Sequence, residues 1–234
     1  MDETLYAIGD VHGRVDLLDA MIARINSAPS TKPKRLVFLG DYVDRGPASA
    51  EVIQRLISLQ KEEPKTVLLK GNHEAALLSF LEDPDRHDAW LEWGGVETME
   101  SYRVERPLAR APGDLAAELR DRMPDAHLRF LRGLRLSYEA GDYYFVHAGI
   151  RPGVALCDQD ERDLLWIREA FHNAPASARP EKTIVHGHHP TRKPLDQGWR
   201  IGVDTGAVWS GALSAVEIDG PSRRFISVEG PAGP

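Results

Sequence analysis

The chain has 234 residues, 42% of them hydrophobic and 28% charged, and its 36 Asp and Glu outweigh 29 Lys and Arg to give a formal net charge of −7. That composition supplies enough apolar material for a full core and excludes intrinsic disorder and fibrous repeats. The acidic balance excludes a dedicated nucleic-acid binder, since no surplus of cations exists to displace the counterions of a phosphate backbone.

Residues 5–8, 36–39 and 67–69 are short apolar runs, separated by helical patterns over 15–25 and 48–60; in the second helix Val52, Leu56 and Leu59 recur at intervals of four and three. This rhythm predicts β-α-β-α-β. Each run stops at a small or polar pair, Gly9-Asp10, Gly40-Asp41 and Gly71-Asn72. Loops leaving the carboxyl ends of strands in open α/β sheets carry the functional groups, so the three pairs are expected along one edge. Residues 82–142 turn helical and charged, broken at Pro84, Gly94-Gly95, Pro107, Pro112-Gly113 and Pro124, and predict a helical insert over that edge. Beta character returns at 143–146, 183–185, 200–203, 213–218 and 225–228, which predict a second sheet. A helix is expected over 160–171, a loop over 172–182 and a frayed tail over 229–234. The expected fold is α/β, a two-sheet β sandwich flanked by helices, as a single domain over 1–234.

Five turns each set a potential metal ligand beside glycine: Gly9-Asp10-Val11-His12-Gly13, Gly40-Asp41-Tyr42-Val43-Asp44-Arg45-Gly46, Gly71-Asn72-His73-Glu74, His147-Ala148-Gly149 and His186-Gly187-His188. Carboxylate, imidazole and amide oxygen suit borderline divalent ions such as manganese, iron or zinc, and the lack of cysteine ligands speaks against a structural zinc site. Any one of Asp10, Asp41 or Asn72 alone reads as a turn or capping residue; their occurrence together with three histidines reads as a metal site.

This ordered set resembles the phosphoprotein phosphatase branch of the calcineurin-like metallophosphoesterases, above all its small bacterial and lambda-phage serine/threonine phosphatases. The likeness extends to Leu165-Trp166-Ile167-Arg168 and Asp204-Thr205-Gly206-Ala207-Val208. It implies two divalent ions, with manganese expected and iron, zinc or magnesium as substitutes. Asp10 and His12 would bind the first, Asp41 would bridge, and Asn72, His147 and His188 would complete the second. A bridging hydroxide would be the nucleophile, since metal coordination can lower the pKa of water to about 7. The resemblance makes Arg45 and Arg168 phosphate clamps, where planar paired donors fit phosphate oxygens, and His73, oriented by Asp44, the general acid.

Plainer readings stand beside these. The secondary reading of His73 is a support for the ligands, and that of Arg168, expected on a helix, a solvated arginine. His188 is preferred to His186 because it follows the glycine and precedes Pro190 by two, as in the family; His186 and His189 depart from that pattern and are expected at the surface, with a support behind the ligands as the alternative for one of them. Tyr42 is not expected to bind metal, Cys157 reads as a small packed hydrophobe, and Trp90, Trp93 and Trp166 as packing residues.

The expected activity is phosphomonoester hydrolysis on phosphoserine, phosphothreonine and also phosphotyrosine, with symmetrical hydrolysis of dinucleoside polyphosphates as the alternative. The insert, with Arg103, Glu105, Arg106 and Arg110, offers no uniformly basic groove for the latter. A binding module without catalysis would have lost a ligand, clamp or acid, and none is missing. The expected partner is a phosphoprotein or small phosphoester, with neither nucleic acid nor membrane. No run of about 18 apolar residues exists, Met1-Asp2-Glu3 does not open a signal peptide, and a lone cysteine suits a reducing compartment, so a cytoplasmic location is expected.

Overall fold

Three short apolar runs near the start of the chain lie side by side as β1 (Thr4–Ile8), β2 (Lys34–Phe38) and β3 (Val67–Leu68), paired parallel. The structure, a computed structural model, describes residues 2–105 and 110–233. Arg106 and Pro107 of the insert and Pro234 of the tail lie outside the described residues. The crossovers are α1 (Val15–Ser27) and α2 (Ser49–Glu62), which turn Leu17, Leu18, Met21, Ile22 and Ile25, and Val52, Ile53, Leu56 and Leu59, to the core. Every residue of β1 is buried, because both faces of this sheet are covered. Tyr6 and Ile8 pack with Leu36 and Phe38 against the helices, while Leu5 and Ala7 face the other way with Val37 and Leu39. The two-residue period of the strand thus feeds two cores.

After β3 come α3 (Asn72–Glu82), a 3₁₀ turn (Asp88–Trp93), α4 (Gly95–Ser101), α5 (Pro112–Arg122) and α6 (Asp125–Arg132). The helical insert ends earlier than predicted. Residues Ser137–Ala140 form β4, an edge strand antiparallel to β5 (Tyr143–Val146). The turn between them holds Gly141 at φ 55°, and four half-exposed residues become a strand only because β5 lies beside them.

The helix predicted over 160–171 is interrupted. It is α7 (Glu161–Trp166) followed by α8 (Glu169–His172), with Ile167 extended at φ −62°, ψ 142°. The Leu164 carbonyl, which a continuous helix would give to Arg168, instead accepts the Ala148 N–H at 2.9 Å. Cys157 is exposed, not packed.

Next come β6 (Thr183–His186), β7 (Leu195–Asp196), β8 (Arg200–Gly202), α9 (Ala207–Ser210), β9 (Ala212–Asp219) and β10 (Ser222–Glu229). The second sheet has the order β4-β5-β6-β8-β7. The last two predicted strands were expected there and belong instead to the first sheet, of order β10-β9-β1-β2-β3. Strand β9 runs antiparallel to β1, Leu5 opposite Ile218 and Ile8 opposite Ala215. Period-two alternation marks a strand without naming its partner, and here the partner was set by packing. The sheets meet through Leu5, Val37 and Val67 on one side and Phe145, Val185 and Ile201 on the other. No helix among the described residues is long and apolar enough to cross a membrane.

Candidate metal centre

Strands β1, β2 and β3 are parallel, and so are β5, β6 and β8. Their carboxyl ends carry Asp10 and His12, Asp41, Asn72, His147, His188 and Asp204, so packing the two sheets face to face brings six loops to one edge. The loops are bonded to one another: Val11 and His12 N–H donate to the Asp41 carbonyl at 3.0 and 2.9 Å, and Gly187 N–H to that of His147 at 2.8 Å. Among the described residues six non-glycine residues have φ in the left-handed region, and five stand here: His12 (44°), Asp41 (53°), Asp44 (72°), Arg45 (68°) and His188 (63°). Left-handed backbone is unfavourable for these side chains and persists only where the surroundings enforce it.

At Asp41 that enforcement comes from Glu74. Its buried carboxylate accepts the backbone N–H groups of Asp41 (2.9 Å), Tyr42 (2.7 Å), Val43 (3.2 Å) and Gly71 (2.8 Å). Burial and then the Asp41 charge push its carboxyl up to about 7. Gly71 is required beside it, since a Cβ there would strike the Asp41 carboxylate; a Cβ at Gly187 would likewise strike that of Asp10.

Two groups of candidate ligands have their donor atoms within 4.8 Å of one another, His12 with Asp41 and His73, and Asp41 with His147 and His188. Asp41 belongs to both, with Oδ2 3.5 Å from His12 Nε2 and Oδ1 3.4 Å from His147 Nε2. The Asn72 amide oxygen lies 2.9 Å from His147 Nε2 and 2.8 Å from His188 Nδ1. His12 Nδ1 faces the Val43 carbonyl at 2.7 Å and His147 Nδ1 that of Leu39 at 2.9 Å. A carbonyl only accepts, so both rings carry their proton on Nδ1 and turn an Nε2 lone pair inward. Asp10 stands slightly apart: its carboxylate accepts the His188 N–H at 3.0 and 3.2 Å.

Electrostatics sort these groups. Burial lowers His12 to about 3 and His188 to about 2, and lowers His147 as well, so the three imidazoles are neutral with lone pairs to give. Burial pushes the Asp41 carboxyl up, yet at the acid pH where it would take a proton the surrounding imidazoles, His147 foremost, are themselves charged and hold it well below the carboxylate range. Burial and the neighbouring Asp204 raise Asp10, and Asp204 itself is pushed to about 6, chiefly by burial. Neutral imidazoles, an amide oxygen and buried carboxyls that repel one another fit a pair of divalent cations.

His73 is different. Burial lowers its pKa, but the Asp41 charge and the bond to Asp44 outweigh that and raise it above the ordinary value. Its Nδ1 lies 2.7 Å from Asp44 Oδ2. The Asp44 carboxylate also accepts Trp90 Nε1–H at 2.9 Å and Thr98 Oγ1–H at 2.7 Å. Arg45 spreads its fork over His12 Nε2 (2.8 Å) and His73 Nε2 (2.7 Å), and Arg168 Nε donates to His188 Nε2 at 3.1 Å. Arg168 follows the break after α7 instead of riding on a helix. Arg45 donates to His73 Nε2 only while that nitrogen carries no proton; an incoming phosphate is a better acceptor for both arginines than imidazole nitrogen and would free His73 Nε2 to take one up.

Sequence reasoning did not assign Glu74, Thr98 or Asp204. A glutamate three residues after an N-capping Gly71 is a capping-box signal for the first; Asp204 stands in the family-like stretch 204–208 without a role being given to it, and Thr98 carried no local signal. His186 was expected at the surface and is 2% exposed, next to Phe171 and Arg200, whereas His189 is exposed. The strand stops at His186, and the chain turns at Gly187 before His188. Tyr42 points away from the cluster, its hydroxyl donating to the Leu69 carbonyl at 2.7 Å. Trp90 is buried as expected, but Trp93 and Trp166 are 43% and 37% exposed.

The calcineurin-like phosphoesterase family matches residues 4–217, and the chain belongs to that family. It is 29% identical to a symmetrical bis(5'-nucleosyl)-tetraphosphatase of Acidovorax sp. (strain JS42), over 92% of each chain. It is 26% identical to the asymmetrical bis(5'-nucleosyl)-tetraphosphatase PrpE of Oceanobacillus iheyensis, over 94% of this chain and 90% of the other. Among solved structures, a protein serine/threonine phosphatase from Saccharomyces cerevisiae aligns with a TM-score of 0.62 at 16% identity, over 100% of this chain and 82% of its own. At that identity the likeness speaks for the fold alone.

Glu74→Gln replaces one of two acceptor oxygens with a donor facing backbone N–H groups. The variant is expected to lose about 1–3 kcal/mol in urea denaturation and to bind manganese more weakly by calorimetry; unchanged values in both would show that Glu74 does not hold the Asp41 turn.

Proposed function

We propose that this phosphoesterase hydrolyses dinucleoside polyphosphates, cleaving within the bridging phosphate chain. The observation that carries this reading is the match, over nine-tenths or more of both chains, to relatives named for that activity. It reverses the ranking expected from the motifs, which placed serine/threonine phosphatase activity first. Those motifs build the metal centre, and a shared centre does not specify what is attached to the phosphate.

Asp10, His12 and Asp41 would hold one ion and Asp41, Asn72, His147 and His188 the other, manganese being the expected metal. When bound, the pair supplies Lewis acidity and an acidified water. Arg45 and Arg168 leave their imidazole partners to grip phosphate oxygens, each with paired N–H donors. Their charge also draws a polyanion to a chain whose net charge is −7. His73, held by Asp44 at Nδ1, presents Nε2 and gives a proton to the leaving oxygen.

The test is turnover with manganese of diadenosine tetraphosphate against a phosphoserine peptide. A higher kcat/KM on the dinucleotide is expected, and chromatography of the products separates two ADP from AMP plus ATP. A higher kcat/KM on the peptide would restore the phosphatase reading.

The leaving group supplies a second check. A nucleotide phosphate leaves as an anion with a pKa of about 6, whereas a serine alkoxide is far more basic and needs the proton. His73→Asn is therefore expected to slow phosphoserine hydrolysis about a hundredfold and dinucleotide hydrolysis much less; equal losses would remove His73 from the acid role.

A further inference from the structure

Four large hydrophobic side chains are exposed among the described residues, and three of them, Trp93, Trp166 and Trp209, stand around the candidate centre. Exposed indoles gathered at one place call for a ligand more than scattered ones do. Trp209 already has one: the Arg45 guanidinium lies 5.0 Å from its ring centroid, a cation–π contact that steadies the clamp.

Trp93 and Trp166 pack on each other and stay exposed. They come from distant parts of the chain, one ending the 3₁₀ turn of the insert and the other ending α7, and their rings meet at 5.5 Å with an interplanar angle of 66°. Trp166 also lies 6.4 Å from the His188 ring. Each indole is tied through the backbone to a clamp. Trp93 precedes Gly94, whose carbonyl accepts the Arg45 N–H at 3.0 Å, and Trp166 stands two residues before Arg168. Phosphate donors and apolar rings are therefore held in fixed relation, phosphate toward the strand ends and rings outside.

We infer that Trp93 and Trp166 form a stacking platform for a nucleobase of the substrate, with the attached phosphates running toward His188 and Arg168. The inclined rings suit a flat heterocycle, which stacks on one indole and meets the edge of the other. A serine or threonine phosphoester has no planar ring at this position, whereas every nucleotide has a π face. The inference rests on the dinucleotide reading and goes beyond it by naming the residues that recognise the base.

The experiment compares wild type, Trp93→Ala, Trp166→Ala, the double alanine variant and the two Phe variants, all with manganese. Substrates are diadenosine tetraphosphate and base-free inorganic tetraphosphate, and tryptophan fluorescence is followed during titration with AMP or inorganic phosphate. Each alanine variant is expected to lose about tenfold in kcat/KM on the dinucleotide, mainly through KM, with little change on tetraphosphate, while the Phe variants keep most of the wild-type value. AMP, but not phosphate, should quench wild-type fluorescence, and the double alanine variant should lose that response. Dinucleotide turnover that the alanine variants leave unchanged, or equal losses on both substrates, would overturn the platform alone. A wild type that cleaves tetraphosphate but not the dinucleotide, with fluorescence indifferent to AMP, would overturn the dinucleotide reading and the platform together.

Discussion

The centre depends on one constraint, the Asp41 turn held in left-handed backbone with its carboxylate set between His12 and His147 at the carboxyl edge of the two sheets. Glu74 grips the turn from α3 through three of its N–H groups, and the β1 loop donates two more bonds to the Asp41 carbonyl. Because both Asp41 oxygens face histidines, one toward His12 and one toward His147, a single side chain links the donors of the first sheet to those of the second. Displacing it would separate the two ligand groups. The unfavourable φ values, the buried glutamate and the glycines without room for a Cβ all serve that placement.

Much of this was legible in the sequence, for a definable reason. Parallel strands that end in Gly-Asp, Gly-Asp and Gly-Asn announce themselves through local composition, and ligand types in loops after strands need no tertiary knowledge to be noticed. The choice of His188 over His186 followed the glycine spacing, and the structure sets His188 beside Asn72 and His147. What was not legible depended on contacts between distant segments. Thr98 and Trp90 reach Asp44 from the insert, and nothing near either residue in sequence marks that contact. The pairing of β9 with β1 was equally hidden, as was the break between α7 and α8, which arises because Ala148 captures a carbonyl that the helix would otherwise use. The apolar character of Trp93 and Trp166 suggested burial; only the folded chain leaves them at the mouth of the centre.

The motifs and the comparisons answer different questions. Metal ligands, clamps and acid define a reaction on phosphate, and they recur wherever that reaction is needed. What lies beyond the phosphate is chosen by surfaces outside the donor set; the insert, the loop after α7 and the residues around α9 border the candidate centre here. A reading from the donor set therefore reached the family, and placed second the activity for which the curated relatives are named.

The most direct test of the shared role of Asp41 is the metal content of the protein, measured by elemental analysis after equilibrium dialysis against manganese, for wild type and Asp41→Asn. Two ions per wild-type chain and at most one in the variant are the expected result. A wild type that binds no manganese, or a variant that keeps both ions, would contradict the placement of Asp41 as the carboxylate shared between two sites.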